Sequence, residues 1–160
     1  MTPLGEQLRG LAGDANKLAI IVVDHGSRRQ QSNALLDEVV AMFRRVTGFS
    51  HVEPAHMELA EPSIATAFDR CVADGADFVI VFPYFLSPGR HWSEDIPRLA
   101  GEAAIAHPSV RHVVTAPLGL HDAIASIMSD RIRGCLSRVL DGGETCDFCD
   151  DATGCRLDPS

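Results

Sequence analysis

Two short loops concentrate the residues with chemical reach. DHGSRR, residues 24–29, and SPGRHW, residues 87–92, each hold a Gly, a His and at least one Arg. Gly26 and Gly89 admit backbone conformations that other residues resist, so each loop can turn sharply and project its neighbours. An imidazole has a reference pKa near ~6.5, so its neutral form accepts a proton or ligates a borderline divalent metal. A single His in such a loop reads as a turn cap; two in matching loops make His25 and His91 candidates for proton removal or metal ligation. Arg28, Arg29 and Arg90 have the fork geometry that clamps carboxylates, although each alone reads more readily as a solvated surface cation. His56 and Glu58 are two apart in an extended segment and share one face. Glu58 there either receives or relays a metal cation beside His25 or begins the next turn as a solvated carboxylate. Trp92, the one Trp of the chain, is either an apolar wall for a flat ligand or the anchor of a helix start. No role falls to His51, His107 or His112, and His121 reads as a residue near a helix start.

The elements that must position these residues follow from periodicity. The runs LAIIVVD (18–24), HVEPAHMEL (51–59), DFVIVFPYF (77–85) and VRHVVTAPL (110–118) have strand length and are rich in Val, Ile and Phe. Helical stretches lie between and after them. Leu36, Val39, Val40, Phe43 and Val46 recur at helical spacing in the first, and Ile64, Ala67, Phe68, Cys71 and Val72 in the second. The second is expected to start at Glu61-Pro62 and stop at Gly75. The third is expected to open at Ser93, with Glu94 and Asp95 complementing its positive end. The fourth carries Ile124, Ile127, Met128, Ile132, Cys135 and Val139 on one face. Strand alternating with helix four times predicts an α/β fold, a four-stranded parallel sheet of order 2-1-3-4 with helices on both faces. Ligands of such sheets bind beyond the C-terminal strand ends where the order reverses, which places the two His loops opposite each other across a crevice.

Composition narrows the classes. The chain has 160 residues, 46% hydrophobic and 22% charged, which fits one soluble globular domain. No run approaches the ~20 apolar residues of a membrane span, and no signal or transit pattern stands at the N-terminus. Residues 1–16 read as a flexible extension, 17–140 as the folded domain and 141–160 as a Cys-containing extension. A net charge of −8 argues against nucleic acid as a partner, since phosphate binding needs a basic stripe. An anionic ligand must instead meet a local Arg cluster. Cys135, Cys146, Cys149 and Cys155 have the spacing C-x10-C-x2-C-x5-C. So dense a set in an intracellular-looking chain points to metal rather than disulfides, and spacing alone does not separate zinc from iron–sulfur. Cys135 also falls on the apolar helix face, so it reads as ligand or core thiol alike. Cys71 reads as structural.

Three motifs together carry a resemblance: IVVDHGSRRQQSN (21–33), EPAHMELAEPSI (53–64) and PGRHWSEDIP (88–97). They resemble the short-form sirohydrochlorin chelatases, most of all the ferrochelatase branch of plants, algae and related bacteria, over about Leu18 to Ser137. The resemblance implies a flavodoxin-like chelatase domain acting as a homodimer in a bacterial cytoplasm or plastid stroma. It implies insertion of Fe2+, or of Co2+ in the cobalamin-related branch, into the tetrapyrrole sirohydrochlorin, with His25 and His91 as the catalytic pair that meets the metal. Beside what the resemblance implies, the residues themselves offer Glu58 as an acidic partner of that pair and Ser27, Arg28, Arg29 and Arg90 as candidates for holding the substrate. The resemblance also implies a [2Fe-2S] cluster in the Cys-containing tail. Two rivals stand beside it. One is a non-catalytic flavodoxin-like module binding a phosphorylated ligand, for which DHGSRR has little glycine. The other is an interaction protein with a zinc-knuckle tail.

Overall fold

The computed structural model describes residues 3–12, 14 and 17–141. These fall into two compact units, one within Met1–Gly119 and one within Leu120–Ser160. The first unit is built on β1 (Leu18–Asp24), whose residues from Leu18 to Val23 are all buried. A strand covered on both faces needs apolar residues at every position, and LAIIVVD supplies them. α2 (Gln30–Thr47) follows, then β2 (Val52–His56), α3 (Ile64–Ala73) and β3 (Phe78–Pro83). A π-helical turn over His91–Asp95 runs into α4 (Ile96–Ala104), and β4 (Arg111–Val114) completes the sheet. All pairings are parallel, and the order is β2-β1-β3-β4, as the sequence predicts.

Packing divides by the alternation of side chains. Ala19, Ile21 and Val23 point to the face covered by α3 and α4, where Phe68, Cys71 and Ile96 are buried. Leu18, Ile20 and Val22 point to the other face, against Leu36 and Val40 of α2 and Phe49. Helices therefore lie on both sides of the sheet.

Several expectations need correction. Residues 1–16 were expected to be a loose extension, yet α1 (Leu4–Ala12) lies there, with Leu4, Leu8 and Ala12 packed against the α2-side cluster. The amphipathic spacing of those three residues is the signal. The later three strands are shorter than their apolar runs, ending at His56, Pro83 and Val114. Glu61-Pro62 precedes α3 rather than opening it; Ser63 is the N-cap, its hydroxyl accepting the Thr66 N–H at 3.2 Å. The helix expected from Ser93 instead begins at His91 with a widened turn, closed by an Ile96 N–H to His91 carbonyl bond. Val46 stands outward, 65% exposed.

In the second unit, α5 spans Asp122–Asp141 and has no buried residue; Ile127, Met128 and Ile132 of its apolar stripe are each 58% exposed. His121 stands at its start, as expected, its Nδ1 accepting the Ala123 N–H at 3.1 Å. Cys146, Cys149 and Cys155 lie outside the described residues.

Candidate active site

Register fixes which side chains meet. β1 pairs Asp24 with His56 and runs parallel to β3, so the loops leaving β1, β2 and β3 emerge at one edge. The ladder between β1 and β2 continues past the strand ends: Met57 donates to the Asp24 carbonyl at 2.9 Å and Glu58 to the His25 carbonyl at 3.2 Å. This brings the Glu58 side chain to His25, with Oε1 3.2 Å from Nε2. Gly26 makes the approach possible, for at its φ of +85° a Cβ would stand 1.9 Å from the Glu58 carbonyl oxygen. Only glycine fits there. Gly89 is different: it has no such φ and open space around it, so the expected conformational need is absent. Its carbonyl instead accepts the Trp92 and Ser93 N–H groups at 3.0 Å each, starting the π-turn.

That turn presents His91. Its ring meets the His25 ring edge to face, with centroids 5.0 Å apart and planes at 79°. The two histidines inferred from separate motifs are thus brought together, and Glu58 with them. In the widened turn Asp95 lies on the same side as His91, and its Oδ2 is 2.9 Å from His91 Nδ1. A carboxylate at Nδ1 holds the proton there and leaves Nε2 as the free lone pair. His25 differs, with the Gly26 carbonyl oxygen 3.3 Å from Nδ1 and Glu58 Oε1 3.2 Å from Nε2. Both rings are about half exposed, at 44% and 52%. Among the described residues, no three His, Cys, Asp or Glu side chains form a preformed metal cage.

The remaining candidates line the same loops. Arg28, Arg29 and Arg90 are exposed, and Arg90 Nε reaches Glu94 Oε2 at 3.3 Å. Ser27 is tied into the loop: Asn33 Oδ1 accepts its N–H at 2.9 Å, Asn33 Nδ2 donates to its carbonyl at 2.8 Å, and its hydroxyl accepts the Arg29 N–H at 3.0 Å. That hydroxyl keeps its own O–H for a ligand. Trp92 is the helix anchor, donating from Nε1 to the Thr115 carbonyl at 2.9 Å beyond the end of β4.

Sequence reasoning missed Asp95 and Asp24. Asp95 was assigned only to the helix dipole, although its spacing four after His91 was the available signal. Asp24 accepts the Gly26 N–H at 2.9 Å and meets His56 Nδ1 at 2.5 Å, a contact that only strand register reveals.

Known proteins resemble the chain in sequence and in fold. Over 145 residues the chain is 50% identical to the chloroplastic sirohydrochlorin ferrochelatase of Arabidopsis thaliana, covering 91% of this chain and 64% of that protein. It is 30% identical to a sirohydrochlorin cobaltochelatase of Methanopyrus kandleri, covering 74% of this chain and 97% of that one. The solved structure of SirB from Bacillus subtilis with Fe3+ superposes with a TM-score of 0.69 at 30% identity, over 74% of this chain and 47% of that chain. The chain thus spans under two thirds of the length of the Arabidopsis and Bacillus proteins. The CbiX family model matches residues 19–135, the whole sheet and both His loops included, and on that match the chain belongs to the CbiX family.

Proposed function

We propose that the protein is a sirohydrochlorin ferrochelatase, inserting Fe2+ into sirohydrochlorin to give sirohaem. The observation that carries this reading is the facing pair of imidazoles, 5.0 Å apart, each backed by its own carboxylate. Insertion exchanges one divalent cation for two pyrrole N–H protons while the cation sheds water. A ring nitrogen with a free lone pair accepts such a proton or ligates the incoming metal, and Glu58 and Asp95 stabilise the positive charge that results. The metal is a substrate that must leave in the product, which suits two rings and a flanking carboxylate better than a closed cage. Arg28, Arg29 and Arg90, with the Ser27 hydroxyl, bind the peripheral carboxylates of the tetrapyrrole, offsetting locally the overall charge of −8. The names of the Arabidopsis relative and of the iron-bound SirB structure support iron.

Cobalt insertion is the second reading, favoured by the name of the Methanopyrus relative and by donors that accept either metal. Anaerobic incubation with sirohydrochlorin and Fe2+, and with Co2+ in parallel, followed by absorbance, decides. Faster conversion to sirohaem supports the ferrochelatase, and faster cobalt insertion supports the alternative. Conversion by neither metal rejects both.

The tail completes the proposal. On a chelatase domain of residues 17–140, assembled as a homodimer in a bacterial cytoplasm or plastid stroma, residues 141–160 hold a [2Fe-2S] cluster through Cys135, Cys146, Cys149 and Cys155. Of the four thiols only Cys135 lies among the described residues, and it is exposed on α5, which speaks against a core thiol and leaves it accessible to a ligand role. Thiolates are the donors such clusters take, and no catalytic step is assigned to the group. A chain ending at Ser137 is expected to fold, dimerise and insert metal without the visible absorption of the cluster. An intact truncated dimer with no insertion activity would overturn that separation.

A further inference from the structure

Among the described residues, His56 is the one polar side chain in the core, at 3% exposure, and the proposed chemistry does not use it. A buried imidazole requires a hydrogen-bond partner, and His56 takes Asp24, with Nδ1 2.5 Å from Oδ1. The same carboxylate oxygen accepts the Gly26 N–H at 2.9 Å. One side chain therefore ties the last residue of β1, the turn that carries His25 and the last residue of β2. The backbone around it is equally committed. His56 donates its N–H to the Pro62 carbonyl at 2.8 Å, Met57 donates to Asp24, and Glu58 donates to His25. Gly26 rests directly on the Glu58 carbonyl. A shift of either loop changes the separation of His25 and Glu58, since each sits one or two residues beyond this clasp.

We infer that Asp24 and His56 are positioning residues, a buried clasp that sets the His25–Glu58 pair at its 3.2 Å separation. The clasp acts through hydrogen bonds, so the acceptor at Asp24 matters and its charge does not. An apolar ring in place of His56 fills the space but leaves Asp24 held by Gly26 alone, and the two loops then slip relative to each other. The activity arm of the test rests on the chelatase reading; the spectroscopic arm does not.

The test uses the full-length chain with Asp24→Asn, Asp24→Ala, His56→Gln and His56→Phe. The His25 imidazole is observed by long-range proton–nitrogen NMR, assigned with His25→Ala, and metal insertion is measured with sirohydrochlorin and Fe2+. Asp24→Asn keeps an oxygen that accepts both bonds, and His56→Gln keeps a donor, so both are expected to retain the His25 spectrum and most of kcat. Asp24→Ala and His56→Phe are expected to move the His25 resonances and to lower kcat by up to about 10²-fold with little change in KM, as small misplacements of reacting groups do. His56→Phe preserves volume and burial, so it remains informative if Asp24→Ala does not fold. Unmoved His25 resonances in His56→Phe, or an Asp24→Asn as impaired as His56→Phe, would overturn the inference. If the wild-type chain inserts no metal, the chelatase reading fails and the His25 spectra alone decide the clasp.

Discussion

His25 and His91 each keep a carboxylate, but on different nitrogens: Glu58 at Nε2 of the first, Asp95 at Nδ1 of the second. In the proposed chemistry the difference gives unequal roles: among the described residues nothing pairs with the outer nitrogen of His91, while His25 has Glu58 as a route for a proton. His91→Ala should lower insertion by about 10²–10⁴-fold, as loss of a general base does. Asp95→Ala should cost about 10–100-fold, the usual effect of releasing an imidazole from its orienting partner. An Asp95→Ala enzyme with wild-type kcat would remove Asp95 from the mechanism. Cys71 shows the opposite kind of residue. Burial, with smaller contributions from Glu53 and Asp74, pushes its thiol up to about 12, so it stays protonated where an unfolded thiol ionises. In native protein it should resist iodoacetamide at neutral pH and react once denaturant is added. The sign of its pH effect follows. As pH rises from 9.0 towards about 12 the unfolded thiol ionises first, so Cys71 lowers folding stability across that window. Its structural role was legible from helical spacing alone. The Asp24–His56 contact was not, because it joins residues 32 apart that only the register brings together.

Element types were easier to read than their ends. Apolar runs gave all four strands and the order of the sheet, whereas the ends depend on local contacts that composition does not show. The start of α3 is the clearest instance. Proline two residues into a segment suggests a first helical turn, yet the Ser63 hydroxyl caps the helix and Glu61 works outside it. The Glu61 carboxylate accepts the Ser63 N–H and the Thr66 hydroxyl, both at 2.8 Å, and these bonds hold it below the ordinary carboxylate range. Ser63→Ala removes the cap and should cost about 1 kcal/mol in a denaturant titration. No loss would mean that Glu61 supports the turn without it. The π-turn was likewise hidden, since no residue preference announces an i→i+5 bond. Its position matters all the same, because the pair it carries, His91 and Asp95, meets His25 there.

For the molecule as a whole, the place where the two histidines meet was legible before any motif was weighed. A parallel sheet of order 2-1-3-4 reverses its strand order between the first and third strands, and the loops that follow them bring both histidines together. The helix at the N-terminus was missed because the spacing of its three packed apolar residues, Leu4, Leu8 and Ala12, was passed over in a polar segment. An acidic chain that binds a polycarboxylate, as proposed for this one, must do so through few cations. Arg28→Ala combined with Arg90→Ala is therefore expected to raise KM for sirohydrochlorin more than it lowers kcat, because binding common to ground and transition states is lost. Unchanged KM would place both guanidiniums outside the substrate's reach. The effect should shrink at high salt, as exposed charges are screened.

The tie between Trp92 and the Thr115 carbonyl has an optical consequence. It fixes the sole indole of the chain beside the His91 backbone. Indole emission overlaps the near-ultraviolet absorption of a tetrapyrrole, so a macrocycle bound at the histidines, as proposed, is expected to quench that emission by energy transfer. Trp92 would then serve as an intrinsic fluorescent gauge of occupancy, one that reads binding without turnover and without any attached dye.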